Sequence, residues 1–236
     1  MDQLSVVDQD QYRSTMPPFD FNNPNFFWIT KNIDFAQWES VDTPRALFLS
    51  APFGHGTTEV CSQIIELAKK KARETNGAAL YFFCSSAPQS RRSATLIHTL
   101  LCQIICSSSD GRTNSIAAGF LNALIGGHYQ RSPDIREDDS VDETVRKLLD
   151  APDSELLEAL AEAIKKAGIQ ELSIIVDGLQ ENTGVASGIF ELLSEASPKS
   201  KLLLTSQHPL ERTPYGMASI EYGKERKGIH ACHSSP

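Results

Sequence analysis

The chain has 236 residues, 40% of them apolar, and carries 22 basic against 30 acidic side chains for a net charge of -8. That length holds one large domain with a sizeable core, or one domain and a short appendage. The acidic balance argues against a broad nucleic-acid or anionic-membrane footprint, although it leaves room for a local basic pocket.

From the N-terminus, residues 1–24 are polar, include "MPPFDFNNP" and have neither a helical nor a strand period; a flexible arm is expected there. No basic segment followed by an apolar run opens the chain, and no stretch of about 18 consecutive apolar residues occurs. Five cysteines (Cys61, Cys84, Cys102, Cys106, Cys232) form an odd set without a C-x-x-C pair, most of them in apolar segments, as small core residues of a chain in a reducing compartment would be. Together these features lead to the expectation of a cytoplasmic protein that contacts neither membrane nor nucleic acid.

The next stretch, "FFWITKNIDFAQWES", spaces Phe27, Ile33, Phe35 and Trp38 as a short amphipathic helix pair would. Four apolar runs follow: 45–51, 78–84, 172–178 and 201–207. Each is apolar on both alternations and each is separated from the next by enough chain for a crossover helix, the pattern of parallel strands covered on both faces. Helical stretches fill the gaps at 58–74, 93–106, 115–127, 153–168 and 184–196. The fourth of these is well punctuated, with Asp153 or Ser154 as cap, Lys165 and Lys166 late and Gly168 as stop. A weak strand, "ASIEYG", is a candidate to close the sheet, and residues 227–236 read as a disordered tail. The acidic stretch 131–145 matches no calcium-loop spacing and reads as a solvated linker.

The chemistry concentrates after the first strand, in Ala51-Pro52-Phe53-Gly54-His55-Gly56-Thr57-Thr58. A phosphate-binding loop has the form G-x-x-x-x-G-K-[ST]: glycines let backbone N–H groups wrap the phosphates, lysine neutralises the outer ones, and the hydroxyl holds magnesium. Gly54, Gly56 and Thr58 fit; Ala51 replaces the first glycine and Thr57 the lysine. Gly54, His55, Gly56, Thr57 and Thr58 are therefore the candidate nucleotide-binding residues, with a plain strand-to-helix turn as the competing explanation. Later, "LSIIVDGLQEN" ends a buried strand in Asp177, suited to share magnesium with Thr58, because open α/β sheets bind ligands at the carboxyl ends of their strands. Glu181 is the candidate to polarise a water.

The ordered set over residues 25–226 resembles the NACHT-type P-loop NTPases of the STAND class, especially fungal NOD-like receptor proteins with a nephrocystin-like NTPase unit. The resemblance lies in "FFWITKNIDFAQWES", "LYFFCSSAPQSRRSATLIHTLLCQII", "VDGLQEN" and "KLLLTSQHP". It implies a three-layer α/β/α sandwich with a mainly parallel five-stranded P-loop NTPase sheet in the order 218–223, 45–51, 201–207, 172–178, 78–84. It also implies ATP or GTP with Mg²⁺ as cofactor and related NACHT proteins as partners.

Three polar positions depart from the family pattern: Thr57 for its lysine, Gln180 for its second acid and Gln207 for its sensor arginine. Phosphoryl transfer depends on positioning and electrostatic stabilisation, so a domain with weak or absent hydrolysis is expected, acting as a nucleotide-binding or protein-interaction module. An active ATPase or GTPase using His55, Arg91 or Arg92 as replacement charge is the alternative, and a relic that binds no ligand is another. The thiol of Cys84, at a strand end, and the terminal His230, Cys232 and His233 gain no partner from the sequence that would make them a nucleophile or a zinc site.

Overall fold

A computed structural model of the chain describes residues 9–18, 20, 23–40, 45–75, 77–84, 93–107, 151–179, 188–191, 193, 195, 197, 199–209 and 217–221. Five strands, β1 (Arg45–Ser50), β2 (Gly77–Phe83), β3 (Glu171–Asp177), β4 (Lys199–Ser206) and β5 (Met217–Glu221), form one sheet in the order β2-β3-β4-β1-β5. Every pairing is parallel, with Leu47 beside Leu203, Ile174 beside Leu202 and Phe48 beside Ser219. This is the strand order that the sequence resemblance implies, and the described part of "ASIEYG", within β5, does close the sheet beside β1.

Helices cover both faces because the strands are apolar on both. Ala46, Phe48, Leu80, Phe82, Ile174 and Leu204 point into one core, against α5 (Ser93–Ser107) and α6 (Asp153–Ala167). Their alternates Leu47, Leu49, Tyr81, Phe83, Ile175 and Leu203 point into a second, against α2 (Pro24–Thr30), α3 (Ile33–Ser40) and α4 (Thr57–Glu74). Period-two alternation inside an all-apolar run is thus spent on two cores, and the molecule is a three-layer α/β/α sandwich.

Two expectations for the helices need correction. In the α2–α3 pair Phe35 and Trp38 are buried, but Phe27 and Ile33 are 56% and 69% exposed, and Phe26 and Ile29 take the core positions instead. Phe26 and Ile29 stand three apart on one helical face, whereas Phe27 is turned away by one residue; its ring instead faces the Lys31 ammonium at 5.2 Å. In α6 the capping residue is Pro152, with no side-chain cap hydrogen bond, so Asp153 opens the helix rather than capping it. The stop at Gly168 is as expected: its φ of 63° is left-handed, and its N–H donates to the Lys165 carbonyl.

One helix was not announced by any sequence period. α1 (Gln9–Ser14) falls inside the stretch expected to be an arm, and its buried Gln9 accepts the Phe83 N–H at 2.7 Å. Because β2 is an edge strand, its outward backbone groups need partners other than a strand. Gln103 on α5 supplies them for Tyr81, accepting its N–H and donating to its carbonyl, each at 2.8 Å.

Candidate functional site

The candidate residues gather at the carboxyl ends of β1, β3 and β4. The loop leaves β1 at Ala51, whose N–H donates to the Ser206 carbonyl at 3.1 Å and so fastens the loop base to the end of β4. Pro52 then opens a tight turn closed by the His55 N–H on the Pro52 carbonyl at 3.3 Å. Gly54 and Gly56 have φ of 80° and 78°, the left-handed region where a side chain would be strained. The two loop glycines turn the backbone so that α4 can start at Thr57. Gly56 caps that helix without a side-chain hydrogen bond, and the first intrahelical N–H is that of Val60, on the Gly56 carbonyl at 3.0 Å. The N–H groups of Thr57, Thr58 and Glu59 are therefore the orphan donors of the first turn, at the positive end of the helix dipole.

Thr57 and Thr58 are half-buried, while His55 is exposed with its Nδ1 3.3 Å from the Phe53 carbonyl oxygen. Phe53 stands 85% exposed at the loop tip. Asp177, by contrast, is buried at the end of β3. The hydrogen bonds that its carboxylate accepts from described residues come from Thr205 and Cys61, both on Oδ1, the thiol at 3.6 Å. The Thr205 hydroxyl also accepts the Gly178 N–H at 2.9 Å, and its carbonyl accepts the Leu179 N–H at 2.8 Å. Thr58 is not among the described donors to Asp177, so no hydrogen bond joins the pair expected to share magnesium.

Neither Cys61 nor Thr205 was singled out from the sequence. Cys61 lies three residues after Thr58, one turn further along the same helix, and Thr205 lies one step beyond the Val176–Leu204 register pair, level with Asp177. The signal was therefore positional. Burial pushes the Cys61 thiol well above its ordinary range, with the Asp177 charge adding to it, so the thiol is a donor to the carboxylate. Cys84 donates its N–H to the Asp177 carbonyl at 2.8 Å, and burial, with the same charge nearby, pushes its thiol up to about 12. Such thiols are poor nucleophiles.

Gln207 is half-buried just past β4. Gln180, Glu181, Arg91, Arg92, the acidic stretch 131–145 and the terminal His230, Cys232 and His233 lie outside the described residues. Among the described residues no three His, Cys, Asp or Glu side chains cluster closely enough to hold a metal ion, and no helix is long and apolar enough to cross a membrane. A cleft lined by Lys71, Glu171, Lys199 and Lys201 lies at the opposite ends of the strands from the loop. There Glu171 pairs with Lys71 and Lys199, each at 3.8 Å.

For a nucleotide with magnesium, the loop backbone fits phosphate in its two left-handed glycines followed by uncapped helix N–H groups, as a plain strand-to-helix turn also would. The charge complement is poorer: Thr57 brings no cation, and one oxygen of Asp177 already serves two donors.

Comparison with known proteins agrees with this arrangement. The family model described as Nephrocystin 3, N-terminal, matches residues 26–207, more than three quarters of the chain. The vegetative incompatibility protein HET-E-1 of Podospora anserina is 23% identical over 175 residues, which is 73% of this chain and 11% of that protein. The chain thus spans about a tenth of the length of that relative. With an all-parallel sandwich, a glycine loop at the end of β1 and a match across nearly the whole described sheet, the chain belongs to the Nephrocystin 3, N-terminal family of NACHT-type domains.

Proposed function

We propose that the domain is a charge-depleted NACHT-type module that holds a nucleotide weakly at the loop Gly54–Thr58, hydrolyses it poorly or not at all, and acts through protein partners in an intracellular signalling or incompatibility system. What carries this reading is the contrast within one loop. The backbone features that cradle phosphate are kept at Gly54 and Gly56, while the cation that neutralises it is replaced by Thr57.

In this reading the N–H groups of Gly54, Gly56, Thr57 and Thr58 would bind the phosphates, that of His55 being engaged by the Pro52 carbonyl, and Thr58 and Asp177 would hold Mg²⁺. A bound Mg²⁺ would neutralise phosphate charge. Thr205 and Cys61 orient the Asp177 carboxylate from β4 and α4, and leave its second oxygen for that ion. Without lysine at 57 or arginine at 207 the developing transition-state charge loses its two strongest stabilisers. Glu181 would orient the attacking water. The partner class follows the relatives: incompatibility is the printed role of HET-E-1, and related NACHT proteins are the proposed partners here, in the cytoplasm.

The test is release of inorganic phosphate from ATP and GTP with Mg²⁺. The expected result is turnover indistinguishable from an Asp177→Ala variant. Turnover that is clearly above background and vanishes in Asp177→Ala would establish an active enzyme and overturn the proposal.

A further inference from the structure

Glu59, Gln63, Glu66 and Lys69 recur at three- and four-residue intervals and so share one face of α4. Each takes a polar contact from the chain that precedes or opens α2, in strict reverse order. The Asn23 side-chain amide donates to Glu59 Oε1 at 2.6 Å. Gln63 accepts the Asp20 N–H at 2.8 Å and donates to the Pro18 carbonyl at 3.2 Å. Arg13 pairs with Glu66, and Lys69 Nζ donates to Asp10 Oδ1 at 3.4 Å.

At the far end α1 reaches the sheet. The Tyr81 hydroxyl donates to Asp10, the Tyr12 ring lies 5.2 Å from Phe83, and Gln9 caps the Phe83 N–H of the edge strand. One polar line therefore runs from the first turn of α4, beside the loop, to the open edge of β2.

Most of these partners are part-exposed, and part-exposed ion pairs and side-chain hydrogen bonds are individually weak and screened by salt. A helix as short as α1 has no stability of its own. We propose that the segment formed by residues 9–18, 20 and 23 is a releasable clasp on the phosphate-loop helix: it detaches before the domain unfolds, and its attachment sets how firmly the start of α4 is held. The link to ligand rests on the loop reading above, because Asn23 grips Glu59, the residue after Thr58.

Hydrogen exchange of the full chain, followed by mass spectrometry, tests this. In about 1 M salt, where screening acts over about 3 Å, peptides covering 9–23 and the Phe83 amide should lose protection while β1, β3 and β4 keep theirs. Arg13→Ala, a part-exposed position that leaves the core intact, should speed exchange at 9–23 and at the first hydrogen-bonded amides of α4, from Val60 on, by about twofold to fivefold, the loss of one part-exposed ion pair. Protection of 9–23 that disappears only together with that of β3 and β4 would overturn the clasp. Release with no change at the first hydrogen-bonded amides of α4, from Val60 on, would overturn its hold on the helix.

ATP with Mg²⁺ is the probe for the link. Binding is expected to slow exchange at 9–23, and binding without that effect would refute the coupling. Absence of binding would refute the phosphate reading of the loop, with the salt and Arg13→Ala arms still deciding the clasp.

Discussion

Replacing Thr205 by valine keeps the shape of the side chain and removes only the hydroxyl that joins β3 to β4. In the native chain that hydroxyl, on a fully buried residue, donates to Asp177 Oδ1 and accepts the Gly178 N–H at 2.9 Å. A hydrogen bond to a charged group contributes about 1.5–3 kcal/mol, and a buried donor left without a partner costs about 1–3 kcal/mol. The thiol of Cys61 remains on the carboxylate, so the full sum is not lost, and Thr205→Val should cost about 2–4 kcal/mol. For a domain of this size that lowers the thermal midpoint by about 5–15 °C. Thr205→Ser, which keeps the hydroxyl, should cost about 0.5–1.5 kcal/mol, comparable with the loss of one buried methyl. Urea unfolding monitored by circular dichroism reads all three proteins. A Thr205→Val loss below about 0.5 kcal/mol, the scatter of a neutral surface change, or a Thr205→Ser loss equal to that of valine, would refute the hydroxyl's role.

Other outcomes follow from single contacts. A Cβ on Gly77 would lie 2.8 Å from the Glu171 carbonyl oxygen, whereas one on Gly54 meets nothing within 4 Å and suffers only from its φ of 80°. Gly77→Ala is therefore expected to lower the thermal midpoint further than Gly54→Ala, whose backbone strain is worth about 1–2 kcal/mol; the reverse ranking in a melting experiment would refute the loop geometry. At alkaline pH the unfolded chain ionises Cys84 from its ordinary 9.0, but burial and the Asp177 charge hold the folded thiol to about 12. The folded state then binds the proton more tightly, so stability should fall as pH rises from 9 towards 12. In Cys84→Ala that slope should be shallower, and an unchanged slope would contradict the assignment.

At the acid end, the Tyr81 hydroxyl bond, helped by the Lys69 ammonium, holds Asp10 below its ordinary 3.8. This contribution is complete above 3.8 and is lost as pH falls through the lower folded value. Protease cleavage within residues 9–18 should accelerate over that window in the natural chain, and Asp10→Asn should already be fast at neutral pH. Equal rates in the two proteins would sink the idea.

The sheet was legible because two-sided burial leaves little choice: runs such as "ALFL" and "SIIV" bury both alternations, and the ordered motifs supplied the strand order. The α2–α3 pair was legible as helices but not in rotation. Adjacent Phe26 and Phe27 offer two apolar faces, and only the packing of Ile29 with Phe35 and Trp38 selects one. α1 was invisible because its contacts are polar and distant in sequence, such as Gln9 to Phe83. No periodicity encodes such a pairing.

For the site, glycine positions and the strand-ending Asp177 could be read from local pattern, since a left-handed turn and a strand end are local events. The donors on Asp177 could not. Cys61 and Thr205 reach it from α4 and β4, and that meeting depends on sheet register and helix packing, which the sequence states only jointly. The absent lysine at Thr57, by contrast, needs no structure to be seen.

The most direct test is calorimetric titration of the natural protein and Thr57→Lys with ATP, GTP and their diphosphates, with and without Mg²⁺. Restoring one charge-assisted contact should tighten binding by about one to two decades. Weak or marginal binding by the natural chain and clear, Mg²⁺-dependent binding by Thr57→Lys are expected. If Thr57→Lys, folded and with an unchanged melting profile, binds no more tightly than the natural chain, the loop is only a strand-to-helix turn and the account is wrong.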